Sequence, residues 1–308
     1  MWEPKANIAT LEARADIVHR IRNFFQRRGV MEVDVPALGE HSVTDPYLDA
    51  LSLTLSGKQH FLQTSPEYFM KRLLCAGSGD IFYLGKAFRA DEKGRNHRPE
   101  FTMLEWYRLG FGDADLIKDV FELVLSLKPE TSTQCLSYRE IFEQHLGLNP
   151  HTATLAQLRA RALDITDVSF DSDNRSMWLD LLFTHVIEPN LPRGLVAVCD
   201  YPACQSALAR LGENRFGEPV AKRFEVFFDG LELANGYWEL SDFQEQKARF
   251  DADNNLRQTL GKESVIPDTA FLAAIESGLP DCAGVALGVD RLVMRLLGLA
   301  DISEQLSF

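Results

Sequence analysis

The sequence predicts an α+β fold, one domain carrying a mostly helical insertion. Three observations predict it. Strand-like segments with alternating apolar residues lie toward both ends of the chain (Phe82–Arg89, Phe101–Arg108 and Lys222–Leu240). The block from about 137 to 215 reads as mostly helical, with LVAVCDYP as a strand inside it. No repeat, linker or low-complexity tract divides the 308 residues, so the block is an insertion in one α+β domain.

The elements follow in order. Leu11, Ala15, Val18, Ile21 and Phe25 recur every three or four residues, which predicts an amphipathic helix ended by Gly29. Its Arg20, Arg22, Arg27 and Arg28 read as a solvated face. MEVDVPAL is a short strand closed by Pro36, and LSLTL and HFLQT are further strand-like pieces. TSPEYFMKRLLCAG reads as a helix with Ser65 as cap and Pro66 in the first turn. Ser137-Tyr-Arg-Glu140 fits a capping box opening the insertion. After it, Asp229-Gly230 between apolar alternations predicts a hairpin, helices follow over 244–257 and 269–277, and CAGVALGVDRLVMRLLG is a strand running into a helix.

Composition bounds the function. At 45% hydrophobic and 25% charged residues the chain is globular, and no apolar run of about 18 residues suggests a membrane span. The N-terminus lacks a signal core, and five cysteines without a CxxC pair fit reduced thiols in a cytoplasmic protein. A net charge of −13 argues against gripping a long nucleic acid such as tRNA.

Two carboxylate patterns need a reason. A two-residue turn at Asp229-Gly230 opposes Phe227 with Glu232 and Glu225 with Ala234, so Glu225 and Glu232 share a face and can converge on a divalent cation. A solvated face, or neutralisation by Arg223, also fits that pattern. Glu232 and Glu239 fall on opposite faces under strict alternation, and Asn235-Gly236 is where a bulge would change this. In EFTMLEWY, alternation places Phe101, Met103, Glu105 and Tyr107 on one face. A glutamate among aromatics is costly unless it meets a cation, either a structural arginine or a cationic ligand. The chain has no GxxxxGK[ST] loop, no GxGxxG after a strand, no HExxH and no GxSxG. Nucleotide phosphates would therefore be held by arginine side chains and metal.

In order, the VPAL segment, FRADEKGRNHRPEFTMLEWY, GLELANGYWEL and GVALGVDRLVM resemble the three signature motifs of class II aminoacyl-tRNA synthetases. The detail is similar to lysyl-tRNA synthetase catalytic domains over nearly the whole chain. The first motif begins near residue 11, which leaves no room for an N-terminal anticodon-binding domain. With TSPEYFMKRLL, that makes the chain similar to the truncated lysyl-tRNA synthetase paralogues that modify elongation factor P. The resemblance implies the class II catalytic fold, an antiparallel sheet flanked by helices, over residues 1–308. It implies ATP-dependent activation of lysine or (R)-β-lysine to an aminoacyl-adenylate and transfer to a lysine amine of elongation factor P. A tRNA-acylating enzyme and a catalytically silent regulatory paralogue are the alternatives.

The resemblance also implies roles. Arg89 holds the α-phosphate and the substrate carboxylate, Asp91 and His97 contact ATP, Phe101 stacks on adenine, and Arg291 takes the γ-phosphate. Glu225 and Glu232 hold Mg2+. Glu67 takes the substrate's backbone-type amine with Asn235 near its carboxylate, and Glu105, Tyr107 and Glu239 form the side-chain ammonium pocket. Motif 1, Leu11–Pro36, implies a homodimer. Three positions depart from the pattern: Asp91 replaces a glutamate (Glu92 is adjacent), Arg98 stands where asparagine is common, and Ala286 replaces a glycine. The Ala286 methyl is expected to narrow the space near the substrate's α-carbon and disfavour α-lysine against β-lysine.

Overall fold

Apolar spacing builds the first helix, α1 (Ile8–Gln26), capped by the Asn7 side chain accepting from Thr10 N at 2.8 Å. The computed structural model describes residues 2–90, 92–167 and 172–308, and the chain divides into two compact units. The first unit comprises residues 1–111, 126–128 and 241–308; the second comprises 112–125 and 129–240.

In the first unit α1 buries Ile17, Ile21, Phe24 and Phe25, while the expected Ala15 is exposed. The apolar stripe is thus shifted toward Ile17 and Phe24. Phe25 stacks on Phe82 at 4.7 Å and meets Trp106 edge-on at 5.2 Å. The basic cluster is engaged rather than merely solvated: Arg22 pairs with Glu32 at 2.9 Å, Arg20 donates to the Ser126 carbonyl at 2.5 Å, and Arg28, just past α1, lies over the Phe24 ring. The strands β1 (Met31–Glu32), β2 (Leu38–Gly39), β3 (Ser52–Leu55) and β4 (Lys58–Leu62) precede α2 (Glu67–Cys75), with β2, β4 and β3 forming a small antiparallel sheet. Then β5 (Ile81–Phe88) and β6 (Glu100–Leu109) pair antiparallel without a register break, from Ile81 opposite Tyr107 to Phe88 opposite Glu100.

The second unit opens with α3 (Asp113–Leu127), which has no counterpart among the sequence-derived elements although Leu116, Val120, Leu123 and Val124 are buried at helical spacing. An equally unexpected edge strand, β7 (Thr133–Ser137), follows. The insertion supplies α4 (Tyr138–Leu146), α5 (Leu155–Leu163) and α6 (Arg175–Leu182), and the Ser137/Glu140 capping box is present. Beyond them lie β8 (Leu195–Pro202), β9 (Leu211–Glu213), β10 (Pro219–Phe228) and β11 (Leu231–Trp238). The strand order is β11-β10-β8-β7, with β9 on β10. Tyr138, Phe142, Trp178, Phe183, Tyr201 and Phe227 form this unit's core, placing the insertion helices against one face of β10.

The chain returns to the first unit through α7 (Phe243–Thr259), α8 (Thr269–Gly278), β12 (Cys282–Gly288) and α9 (Val289–Leu297). Tyr68 of α2 stacks on Phe271 of α8 at 4.3 Å, and β12 pairs antiparallel with β6. The architecture is α+β, as expected, but the sheets are not wholly antiparallel: β1/β5 and β7/β8 are parallel. Among the described residues no helix is long and apolar enough to cross a membrane.

Candidate active site

In the first unit an unbroken β6 sets the arrangement. Its register against β5 and β12 keeps Phe101, Met103, Glu105 and Tyr107 on one face. Glu105 is 2% exposed. Its Oε2 accepts from Ser65 Oγ at 2.9 Å and its Oε1 from the Tyr107 hydroxyl at 2.8 Å. Ala286 of β12 lies directly opposite Glu105, so its methyl points to the same side.

The segment 63–67 ties these groups together. Gln63 donates to the Tyr83 hydroxyl at 2.9 Å, and Thr64 O accepts from Arg89 Nε at 3.4 Å. Ser65 Oγ, besides donating to Glu105, accepts from Glu67 N at 3.0 Å. Tyr83 folds back over Gly85, where a Cβ would come within 2.3 Å of the tyrosine oxygen, so only glycine fits there. Glu67 is not an open carboxylate: Lys71, fully buried one turn on, donates to its Oε1 at 2.6 Å. Neither Lys71 nor Thr64 was among the sequence-derived site residues; the i,i+4 spacing of Glu67 and Lys71 was the available signal.

Arg89 pairs with Glu92 at 3.0 Å, and its guanidinium lies 5.3 Å from the Phe101 ring centroid. Arg291, in the first turn of α9, meets His97 Nε2 through Nη2 and the Asn96 carbonyl through Nε at 3.4 Å. His97 and Gly94 close the turn between β5 and β6 by a backbone bridge. Arg98 donates to the Gly94 and His97 carbonyls and pairs with Asp301 at 3.2 Å, so it fastens the loop. Asp91 lies outside the described residues.

The second unit holds the other four positions. The turn is as expected, with Asp229 (φ 49°) and Gly230 (φ 75°) both left-handed as a type I′ hairpin requires. Phe227 opposes Glu232, but Glu225 opposes Asn235 and not Ala234. The register shifts between Val226 and Phe227, leaving Leu233 as the extra residue, so the bulge precedes Asn235-Gly236. That extra residue turns Glu232 and Asn235 to the same side, and continued alternation carries Tyr237 and the buried Glu239 there too. The Asn235 Oδ1 is buried with no hydrogen-bond partner, an acceptor that a bound molecule's donor would satisfy.

Glu225 and Glu232 line one cavity of about 240 Å³ together with Tyr138, Asp180, Tyr201 and Arg223. Burial pushes the Glu225 carboxyl upward; the Arg223 guanidinium, 2.5 Å away, opposes this, and the Glu232 charge adds to it. Burial likewise raises Asp180 and keeps the Tyr138 and Tyr201 phenols protonated. Arg223 thus neutralises Glu225, the alternative that the sequence pattern left open. Among the described residues no group of three or more His, Cys, Asp or Glu gathers to hold a metal. Glu225 and Glu232 on one wall could hold a Mg2+ only if water and phosphate supplied its other ligands.

A family model described as class II tRNA synthetases (D, K and N) matches residues 3–308. A protein of Histophilus somni named elongation factor P–(R)-β-lysine ligase is 44% identical over 314 residues, covering 100% of this chain and 97% of its own. Proteins of Pasteurella multocida (44% over 314 residues) and Klebsiella pneumoniae (43% over 316) carry the same name and cover the same shares.

Proposed function

This chain belongs to the class II tRNA synthetases of the D, K and N group, and from that membership we propose that it is an ATP-dependent ligase for elongation factor P. It activates (R)-β-lysine to an aminoacyl-adenylate and passes the acyl group to a lysine side-chain amine of that protein. The proposed substrates are those named for full-length relatives at 43–44% identity. The observation that carries the pocket assignment is Glu105: a carboxylate 2% exposed, cradled by two hydroxyls, matches a substrate ammonium.

In the first step a carboxylate oxygen of β-lysine attacks the α-phosphorus, and the bond to the bridging oxygen breaks to release pyrophosphate. Two anions must approach, so positive charge does the work and no general base is needed. Arg89 supplies it at the α-phosphate; Phe101, beside that guanidinium, stacks on adenine. Arg291 and His97 take the distal phosphates. Glu67, held by Lys71, receives the substrate amine, and Asn235, Tyr107 and Glu239 complete the amino-acid contacts. A Mg2+ bound by Glu225 and Glu232 would supply charge neutralisation for the leaving pyrophosphate. In the second step the acceptor amine attacks the acyl carbon, forms an amide and releases AMP. The enzyme acts in the cytoplasm as a homodimer, and exposed Ile8 and Met31, in and just after α1, offer apolar surface for that assembly.

The deciding experiment incubates the enzyme with ATP and labelled β-lysine beside elongation factor P and tRNA. Label is expected on the protein. Label on RNA would establish the tRNA-acylating alternative, and no adenylate at all the silent one.

Ala286 tests isomer preference. Ala286→Gly is expected to raise pyrophosphate exchange with α-lysine about tenfold relative to β-lysine, the scale of one misplaced methyl group in a pocket. A clear α-lysine preference in the parent chain, unchanged by the substitution, would refute the methyl's role.

A further inference from the structure

Cys135 and Cys199 take no part in the chemistry above, yet their sulfurs stand 3.8 Å apart. Cys135 is on the edge strand β7 and exposed; Cys199 is on β8 and half-buried. In the parallel pairing Cys135 opposes Ala197 and Ser137 opposes Cys199, so the thiols are diagonal neighbours. We propose that this pair is a peroxide-responsive dithiol that closes a reversible disulfide within the chain.

A disulfide needs the sulfurs closer by about 1.8 Å. The backbone around the pair has that freedom on both sides. In the strand order β7 has β8 as its neighbour and is otherwise an edge. Directly after Cys199, Asp200 takes a left-handed φ of 55°, and the register of β8 against β10 breaks between Ala221 and Phe224.

The two thiols also differ in the way the chemistry requires. Cys199 is the more buried, and either sulfur can donate across the 3.8 Å contact. That bond lowers the Cys135 thiol, against burial and the charges of Asp200, Asp113 and Glu140. Lys222, 3.3 Å from Asp200, offsets one of those charges. Cys135, the exposed thiol, is the sulfur that meets peroxide, and the half-buried Cys199 beside it is the resolving one.

The Cys135 thiolate attacks one oxygen of hydrogen peroxide; the O–O bond breaks, hydroxide leaves and becomes water, and Cys135 is left as a sulfenic acid. The Cys199 sulfur then displaces that oxygen, which departs as a second water with the Cys199 proton. Two thiols and one peroxide give one disulfide and two waters, the sulfurs losing the two electrons that the O–O bond gains.

Cys204 is an internal control, since it is exposed too but burial raises its thiol. Reduced full-length protein is treated with a small excess of hydrogen peroxide, alkylated, digested without reductant and examined by mass spectrometry. A Cys135–Cys199 cross-linked peptide is expected before any modification of Cys204, and dithiothreitol should restore both thiols. Cys199→Ser should let Cys135 advance to sulfinic acid, and Cys135→Ser should slow oxidation of Cys199 at least tenfold. The proposal is overturned if wild-type Cys135 stays alkylatable while Cys204 oxidises, if it ends as sulfinic acid, or if cross-links join only separate chains.

Discussion

Glu105→Gln is expected to lower kcat/KM for β-lysine in pyrophosphate exchange by about 10²–10³-fold, with the KM for ATP and the Tm close to the parent values. The size follows from breaking a desolvated ion pair between substrate and protein, on the order of 3–4 kcal/mol. The selectivity follows from what Glu105 touches. Its carboxylate accepts from Ser65 at 2.9 Å and from Tyr107 at 2.8 Å. Glutamine has the same shape, keeps a carbonyl oxygen for one hydroxyl and turns its amide toward the other, which can accept. Those two bonds therefore survive in the variant, whereas the substrate's ammonium loses the negative charge it is paired with. If β-lysine is activated normally by the variant, the pocket assignment fails. A matching fall in Tm would instead make Glu105 a structural carboxylate.

That residue also shows why part of the site was legible in the sequence. Phe101, Met103, Glu105 and Tyr107 could be placed on one face because β6 keeps perfect alternation against both neighbours. The face shared by Glu225 and Glu232 was legible for a related reason: Asp229-Gly230 announces a tight turn, and counting outward from it holds for the first two pairs, Phe228 with Leu231 and Phe227 with Glu232. One step further the count fails. The bulge falls on Leu233, an ordinary strand residue that carries no local signal, whereas the glycine that invites a bulge, Gly236, pairs regularly with Phe224. Ala234 was therefore placed opposite Glu225 where Asn235 belongs. The remaining misses are non-local. Arg98 was open to a phosphate role because only the fold brings Asp301 to it, 203 positions along the chain. β7, a five-residue polar edge strand, is defined by its pairing with β8 and hardly by its own residues.

The second large effect lies one residue from Arg291. Asp290→Ala is expected to cost about 3–5 kcal/mol of stability, the scale for stranding a charge inside a protein, and to lower Tm by roughly 10 °C. Asp290 is 2% exposed and has two jobs. Its Oδ1 accepts from Arg14 at 2.7 Å, joining α1 to the start of α9. Its Oδ2 accepts from the Thr102 backbone N–H at 2.8 Å, joining α9 to β6 one residue from Phe101. Truncation takes the carboxylate from the Arg14 guanidinium, which keeps only the Thr102 hydroxyl at 3.0 Å, orphans a sheet N–H at once, and frees the helix start that aims Arg291. The two contributions separate by substitution. Arg14→Met with Asp290→Ala removes the stranded charge but not the orphaned N–H, so the double variant should regain the larger part of the loss and remain about 1–3 kcal/mol below the parent. Asp290→Asn keeps an acceptor for Thr102 and loses the charge, so it should fall between the two. Because pyrophosphate exchange depends on where Arg291 stands, its KM for ATP should rise in Asp290→Ala and recover only partly in the double variant. Unchanged Tm in Asp290→Ala would mean that Arg14 finds another partner and that α9 is held by its apolar face alone.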